Sequence, residues 1–243
     1  MTISPDFSAA STAVAAVLAA YLLLGEPWAG RRMYGSLARR RDTEPRALVR
    51  YFGLLLALWW AFAALAVAAL LLSPGTDAAD LGLTAPERPV YAVTGILLAA
   101  AIAVASGRNF HDLARRGKNV PGLAAIEAML PRTAEERRLA IAVAVTDGLC
   151  AELVYRGLLI AFGVGALGLD LYAAAALSVV VYALAGFYQG RQGVLVFALF
   201  GAMLTCLYLA TGSLLLPVAV HVILSARDLT LPAPEKLRAA PAA

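Results

Sequence analysis

The feature that most constrains this chain is the recurrence of apolar runs close to the roughly 20 residues that an α-helix needs to cross a bilayer core. Seven are present: Phe7–Leu24, Tyr51–Ser73, Val90–Ser106, Leu139–Gly163, Leu171–Phe187, Val194–Ala210 and Ser213–Ala226. The last is short enough to be enclosed by the others. With 61% of its 243 residues hydrophobic, the chain is composed for a lipid solvent. The expected fold class is all-α, a polytopic transmembrane helical bundle of about seven spans. Residues 1–228 are expected to form one domain, and residues 229–243, rich in Pro and Ala, a disordered cytoplasmic tail. Met1–Ser8 has no basic residue and no clear small-residue cleavage site follows, so the first run is read as a retained span and not as a signal peptide.

Charge placement gives an independent reading of topology, because Lys and Arg accumulate in cytoplasmic loops. Arg31, Arg32, Arg39, Arg40, Arg41, Arg46 and Arg50 crowd the first connection, while the second carries Asp77, Asp80, Glu87 and only Arg88. The third is basic again, with Arg108, Arg115, Arg116, Lys118, Arg132, Arg137 and Arg138. Arg191 follows the fifth run, and Arg227, Lys236 and Arg238 follow the seventh. All 20 basic residues except Arg88 and Arg156 thus fall on one side. This places the N-terminus outside and the C-terminus in the cytoplasm. The positive balance is explained by topology and anionic lipid, and it requires no nucleic-acid partner.

Within the spans, polar residues stand out. A charge at the centre of a spanning helix costs about 2.5 to 3.5 kcal/mol, so each asks for a partner or a wet cavity. Glu152 and Arg156 are four residues apart, on one helix face and in the favourable order for an ion pair. One reading is a self-neutralising pair that locks packing, and the other is a functional cavity. His221, four residues after Pro217 in an otherwise apolar helix, favours the cavity when taken with that pair. Asp147 is a third candidate for a polar interior, although its helical rotation places it beside residue 151 more than beside Glu152. Thr133-Ala-Glu-Glu136 has the form of a capping box and marks a helix start before the fourth run. Phe187–Gly193 reads as a glycine-bounded turn. Cys150 and Cys206 lie in apolar segments with neither disulfide nor metal-ligand spacing. His111 falls in the third loop, so no histidine pair stands at ligand spacing, and neither a metal nor a cofactor is expected. Nor is a Ser/His/Asp arrangement or a glycine-rich phosphate loop present.

Several local sequences, in this order, resemble the CPBP family of intramembrane proteases, which includes CAAX prenyl proteases and bacterial proteins linked to bacteriocin processing or self-immunity. Leu130-Pro-Arg-Thr-Ala-Glu-Glu-Arg-Arg138 leads into the fourth run as in bacterial members, and Ala151-Glu-Leu-Val-Tyr-Arg156-Gly is similar to the E-E-x-x-x-R motif. Tyr182-Ala-Leu-Ala-Gly186-Phe-Tyr-Gln-Gly190 takes the place of F-x-x-x-H with its trailing Y-Q-G, and His221 with Ser225 that of H-x-x-x-N or H-x-x-x-D. The likeness covers about residues 130–228. It implies a fold in which the first Glu of the pair is general base toward a water, while the two motif His residues and the final Asn position that water or stabilise the oxyanion.

Carried over position by position, the first Glu is Ala151, the first His is Gly186 and the final Asn is Ser225, so Glu152, Arg156 and His221 are the survivors. A methyl group cannot take a proton and glycine cannot donate to an oxyanion. Glu152 is rotated by about 100° from the direction of Ala151 and reads as the partner of Arg156. The favoured reading is therefore a CPBP-like protein of the bacterial cytoplasmic membrane with lost or weakened proteolysis. The small residues at the lost positions are expected to leave a cavity that holds a membrane or prenylated peptide. The alternatives are an active glutamic-type endopeptidase using Glu152 and His221, with Asp147 recruited by a helix bend, and a small membrane carrier lined by the same side chains.

Overall fold

The computed structural model describes residues 1–116, 118, 120 and 122–231. Of the tail expected over residues 229–243, residues 232–243 lie outside the described residues, while Leu229 ends the last helix and Leu231 is buried. Seven longer helices account for most of the rest: α1 (Ala9–Arg40), α2 (Ala47–Leu71), α3 (Pro89–Arg115), α4 (Ala134–Gly165), α5 (Leu171–Ala185), α6 (Gly190–Thr211) and α7 (Leu215–Leu229). Among the described residues there is no strand, only an isolated bridge between Asp6 and Gly75. The bundle is all-α, as the apolar periods require.

Five stretches are long and apolar enough to cross a membrane: α1, α2, α3, α4, and Leu171–Thr211 taken together. The last contains a reversal. A four-residue 3-10 turn, Gly186–Gln189, is followed by Gly190 at φ 77°, and α5 and α6 then pack against each other along their lengths. Helix α7, with 15 residues, is about 22 Å long and falls short of the bilayer core.

The helices outrun the expected spans in two places. The first continues past Leu24 to Arg40, so Arg31, Arg32 and Arg39 are helical and not loop residues. Pro27 does not stop it because a π turn, Tyr21–Gly25, directly precedes it, and this wider hydrogen-bonding pattern absorbs the N–H that proline lacks. The third continues past Ser106 to Arg115, which puts Arg108 and His111 on a helix.

Helix α4 is the centre of the bundle. Its apolar window is 78% buried, against 28% or less in the other four stretches. Its first half is packed between α2 and α7, and its second half against α5. Its start is fixed by the capping box expected from the sequence: Glu136 N–H donates to Thr133 Oγ1 (3.2 Å), and Thr133 N–H donates back to Glu136 Oε2 (3.3 Å). The same carboxylate receives Arg41 from the α1–α2 connection, Nη1 at 2.9 Å and Nη2 at 2.8 Å. Arg41 also donates to the carbonyls of Ala128 and Leu130, so this arginine is a buried clamp inside the basic connection.

At the opposite end, the segment before α3 holds the α6–α7 turn. Leu214 N–H donates to Gly82 O (2.9 Å), Ser213 Oγ–H to Thr84 O (2.6 Å) and Glu87 N–H to Thr211 O (2.9 Å). These contacts set where α7 begins, and hence the height of His221.

The two ion pairs that join the α1–α2 connection to α4 are expected to differ sharply. Arg41→Ala strands a buried carboxylate and is expected to cost about 3 to 5 kcal/mol. Arg46→Ala removes an exposed pair with Glu135 (3.0 Å) and is expected to cost less than about 1 kcal/mol. Unfolding midpoints of both variants in detergent test the contrast.

Candidate functional site

Four ionisable side chains converge where α4, α6 and α7 meet. Glu152 and Arg156 are fully buried, and Arg156 Nη1 donates to Glu152 Oε1 at 3.0 Å. His221 reaches the same oxygen from α7, with Nδ1 at 2.7 Å, and its Nε2 faces Asp147 Oδ2 at 3.4 Å. A single imidazole therefore bridges two carboxylates a turn and a half apart on α4. The helical rotation that separates Asp147 from Glu152 is spanned by a ring from another helix, a placement that no spacing within α4 reveals. Both ring nitrogens of His221 thus face a carboxylate oxygen, and Arg156 is the second partner of Glu152 Oε1.

The approach of α7 that permits this is set by Gly148, next to Asp147. A Cβ at that position would meet Val222, the neighbour of His221, through both its side chain and its backbone. Arg156 is held from α6 in the same way. Its Nη2 donates to Gly201 O (3.0 Å), its Nε to Thr205 Oγ1 (3.3 Å), and its guanidinium lies 4.4 Å from the centroid of the Tyr182 ring. A Cβ on Gly201 would come within 2.7 Å of that ring. The edges of Phe200 and Tyr182 enclose the imidazole.

A π turn, Leu153–Leu158, begins directly after Glu152 and contains Arg156. It also contains Tyr155, whose hydroxyl donates to Glu26 Oε2 at 2.8 Å. Glu26 is half-buried and stands immediately after the π turn of α1. Sequence reading missed Glu26 because it closes the first apolar run just before a proline, where a span is expected to end. Its one available signal was a carboxylate in Gly25-Glu26-Pro27, five residues before the first arginine of that segment.

Positions 151, 186 and 225, where the resemblance expects Glu, His and Asn, are placed as follows. Ala151 is fully buried within the apolar cluster of Leu18, Ala66, Val154 and Tyr155. Gly186 is buried at the α5–α6 reversal, where a Cβ would meet the Gly193 carbonyl group and lie 2.8 Å from the Phe197 ring. Ser225 is half-buried one turn past His221 and makes no side-chain hydrogen bond among the described residues. The small residues at 151 and 186 therefore do not leave open space at their own positions, because apolar packing and close backbone approach fill it. The accessible edge of the group lies at Asp147, whose side chain is 31% exposed. Glu152 Oε2 has no partner among the described residues although it is fully enclosed.

Residues 134–226 match the family model described as type II CAAX prenyl endopeptidase, Rce1-like. The matched segment runs from the first residue of α4 into α7 and contains every member of the four-residue group. This similarity is consistent with the CPBP resemblance of the motifs, and with the apolar helices it points to an integral membrane protein. Comparison with the curated proteins and with the solved structures gives no match.

The pair at the centre of the group should behave as a coupled unit. Arg156→Met strands Glu152 and is expected to cost about 3 to 5 kcal/mol. The double variant Glu152→Gln with Arg156→Met is expected to be more stable than the sum of the two single losses predicts, by about 0.5 to 3 kcal/mol. A double-mutant cycle of unfolding in detergent measures the coupling, and strict additivity contradicts it.

Proposed function

We propose that this chain is a CAAX protease-like protein of the bacterial cytoplasmic membrane whose proteolysis is lost or strongly weakened and which binds membrane-associated peptides. Its N-terminus is outside and its C-terminus in the cytoplasm, a sidedness supported by the arginine-rich connections. Residues 1–228 form one membrane domain, with residues 130–228 as the family-like core. The observation that carries the reading is the state of positions 151 and 186. Neither supplies a proton-transfer or donor group, and both are closed by packing. A structural role for Glu152 is supported by its complete burial and by Oε1, which is shared by Arg156 and His221. Glu152, Arg156 and His221 then act as a polar lock between α4, α6 and α7.

Binding is supported at the accessible edge of this group. Asp147, partly exposed, and Glu26, which accepts from the Tyr155 hydroxyl through Oε2, each present a further carboxylate oxygen without a hydrogen bond among the described residues. An extended peptide inside a membrane carries backbone N–H groups that lipid cannot satisfy, and such acceptors compensate them. Prenylated or hydrophobic C-terminal peptides are the proposed ligand class, a choice supported by the match to CAAX prenyl endopeptidases.

One observation favours a second reading, an active peptidase. Asp147 is accessible and faces His221 Nε2, so a water bound there has a carboxylate to accept its proton and an imidazole to steady the developing charge. Glu152 would then hold the imidazole through Nδ1.

Purified protein in detergent, incubated with a peptide pool that includes prenylated C-terminal peptides, separates the two. The expected result is retention of peptides without cleavage, and weaker retention by Asp147→Asn. Cleavage that disappears in both Asp147→Asn and His221→Ala, with the first variant still folded, overturns the loss of activity in favour of the second reading.

A further inference from the structure

A groove of about 580 Å³ runs between α3 and α4 with α7 as its floor, away from the four-residue group. Helices α3 and α7 lie side by side in the same direction: Leu216 packs at Gly95, and Arg227 at Gly107. Helix α4 runs opposite to them, since Val222 packs at Gly148 while Leu229, further along α7, shares an apolar cluster with Ala140, earlier on α4. The depth order in the groove follows from these directions. Val104, Ile141 and Ile223 form its apolar length, whereas Arg108, His111 and Arg227 stand at the end where the arginine-rich connections emerge.

Cations converge on that end from all three helices. Arg227 is fixed, since its guanidinium donates to Ser106 Oγ (3.0 Å), pairs with Asp228 (2.7 Å) and lies 5.4 Å from the Phe110 ring centroid. Arg108 is exposed on α3. Arg137 and Arg138 are exposed on α4, one turn before Ile141 on the same helix face. None of these last three has an ion-pair partner among the described residues, and the one ion pair of the four guanidinium groups is that of Arg227 with Asp228.

We propose that this groove is a selective site for an anionic phospholipid, with an acyl chain along Val104, Ile141 and Ile223 and the phosphate among Arg108, Arg137, Arg138 and Arg227. An apolar channel open to the bilayer accepts a hydrocarbon chain from any lipid. The uncompensated arginines at the interfacial end supply the preference, because guanidinium groups pair with phosphate through paired N–H donors, and a zwitterionic headgroup brings its own cation into the cluster. The site does not depend on whether the neighbouring group retains catalysis.

Native mass spectrometry of the purified protein in mixed micelles of phosphatidylglycerol and phosphatidylcholine tests this. Wild type is expected to retain phosphatidylglycerol preferentially, and Arg108→Gln with Arg138→Gln to reduce that preference by roughly fivefold per arginine. Val104→Phe, which fills the lipid-facing groove, is expected to lose retention of both lipids. Arg39→Gln with Arg40→Gln, at the other basic connection, is expected to leave the preference unchanged. Equal retention of the two lipids by wild type, a preference that survives Arg108→Gln/Arg138→Gln, or an equal loss in the Arg39/Arg40 control overturns the site. Stabilisation by inorganic phosphate alone equal to that by phosphatidylglycerol overturns the lipid as its occupant.

Discussion

The shared oxygen of Glu152 is the point on which the rest of this bundle depends. Arg156 and His221 both contact Oε1, one from the same helix and one from α7, so a single carboxylate ties together groups that could not enter an apolar interior alone. In a low-dielectric setting, a pair of this kind contributes less through its own attraction than through the penalty for losing one member. It therefore selects one arrangement of helices. Any shift of α7 along α4 separates an imidazole from two carboxylates, and any withdrawal of α6 takes the Gly201 carbonyl and the Thr205 hydroxyl from Arg156.

Small residues make that arrangement geometrically possible. Lipid offers little hydrophobic drive for helix association, so close contact has to come from packing and from polar groups, and glycine brings both within reach. Gly148 admits α7 beside Asp147, and Gly201 gives Arg156 a carbonyl acceptor. Gly186 and Gly193 do the same at the α5–α6 reversal, where each would clash with the other if it carried a Cβ. That last contact has a chemical consequence. A histidine at position 186 would have to open the reversal, so the glycine there is an element of packing.

Much of this was legible in the sequence, for identifiable reasons. Apolar runs report helices in a membrane because lipid leaves the backbone no alternative, and Thr133 with Glu136 reports a helix start because the capping box is local. Glu152 and Arg156 were legible as a pair because four residues bring them to one face. What was not legible depends on contacts between helices. Arg41 looked like one of seven arginines in a basic connection, and only its packing on Glu136 distinguishes it. Asp147 looked misdirected relative to Glu152 until a ring from α7 spanned the two. Glu26 was hidden by a proline that a π turn absorbs.

The same contrast separates position 151 from its neighbours. The methyl group of Ala151 joins the apolar cluster of α1 and α2 and leaves no unpaired partner. Glu152, Arg156 and His221 are mutually dependent, and removal of any one leaves a buried charge or an unsatisfied ring nitrogen in a membrane interior. Physical coupling thus protects three positions whether or not peptide bonds are cleaved, and their presence is evidence for the fold before it is evidence for catalysis. Asp147 is the informative exception. It is partly exposed, it pairs with His221 at a longer distance than Glu152 does, and the closed pair of Glu152 with Arg156 does not require it. A carboxylate kept at that edge makes Asp147, more than any of the three coupled residues, the position where structure and chemistry can be told apart.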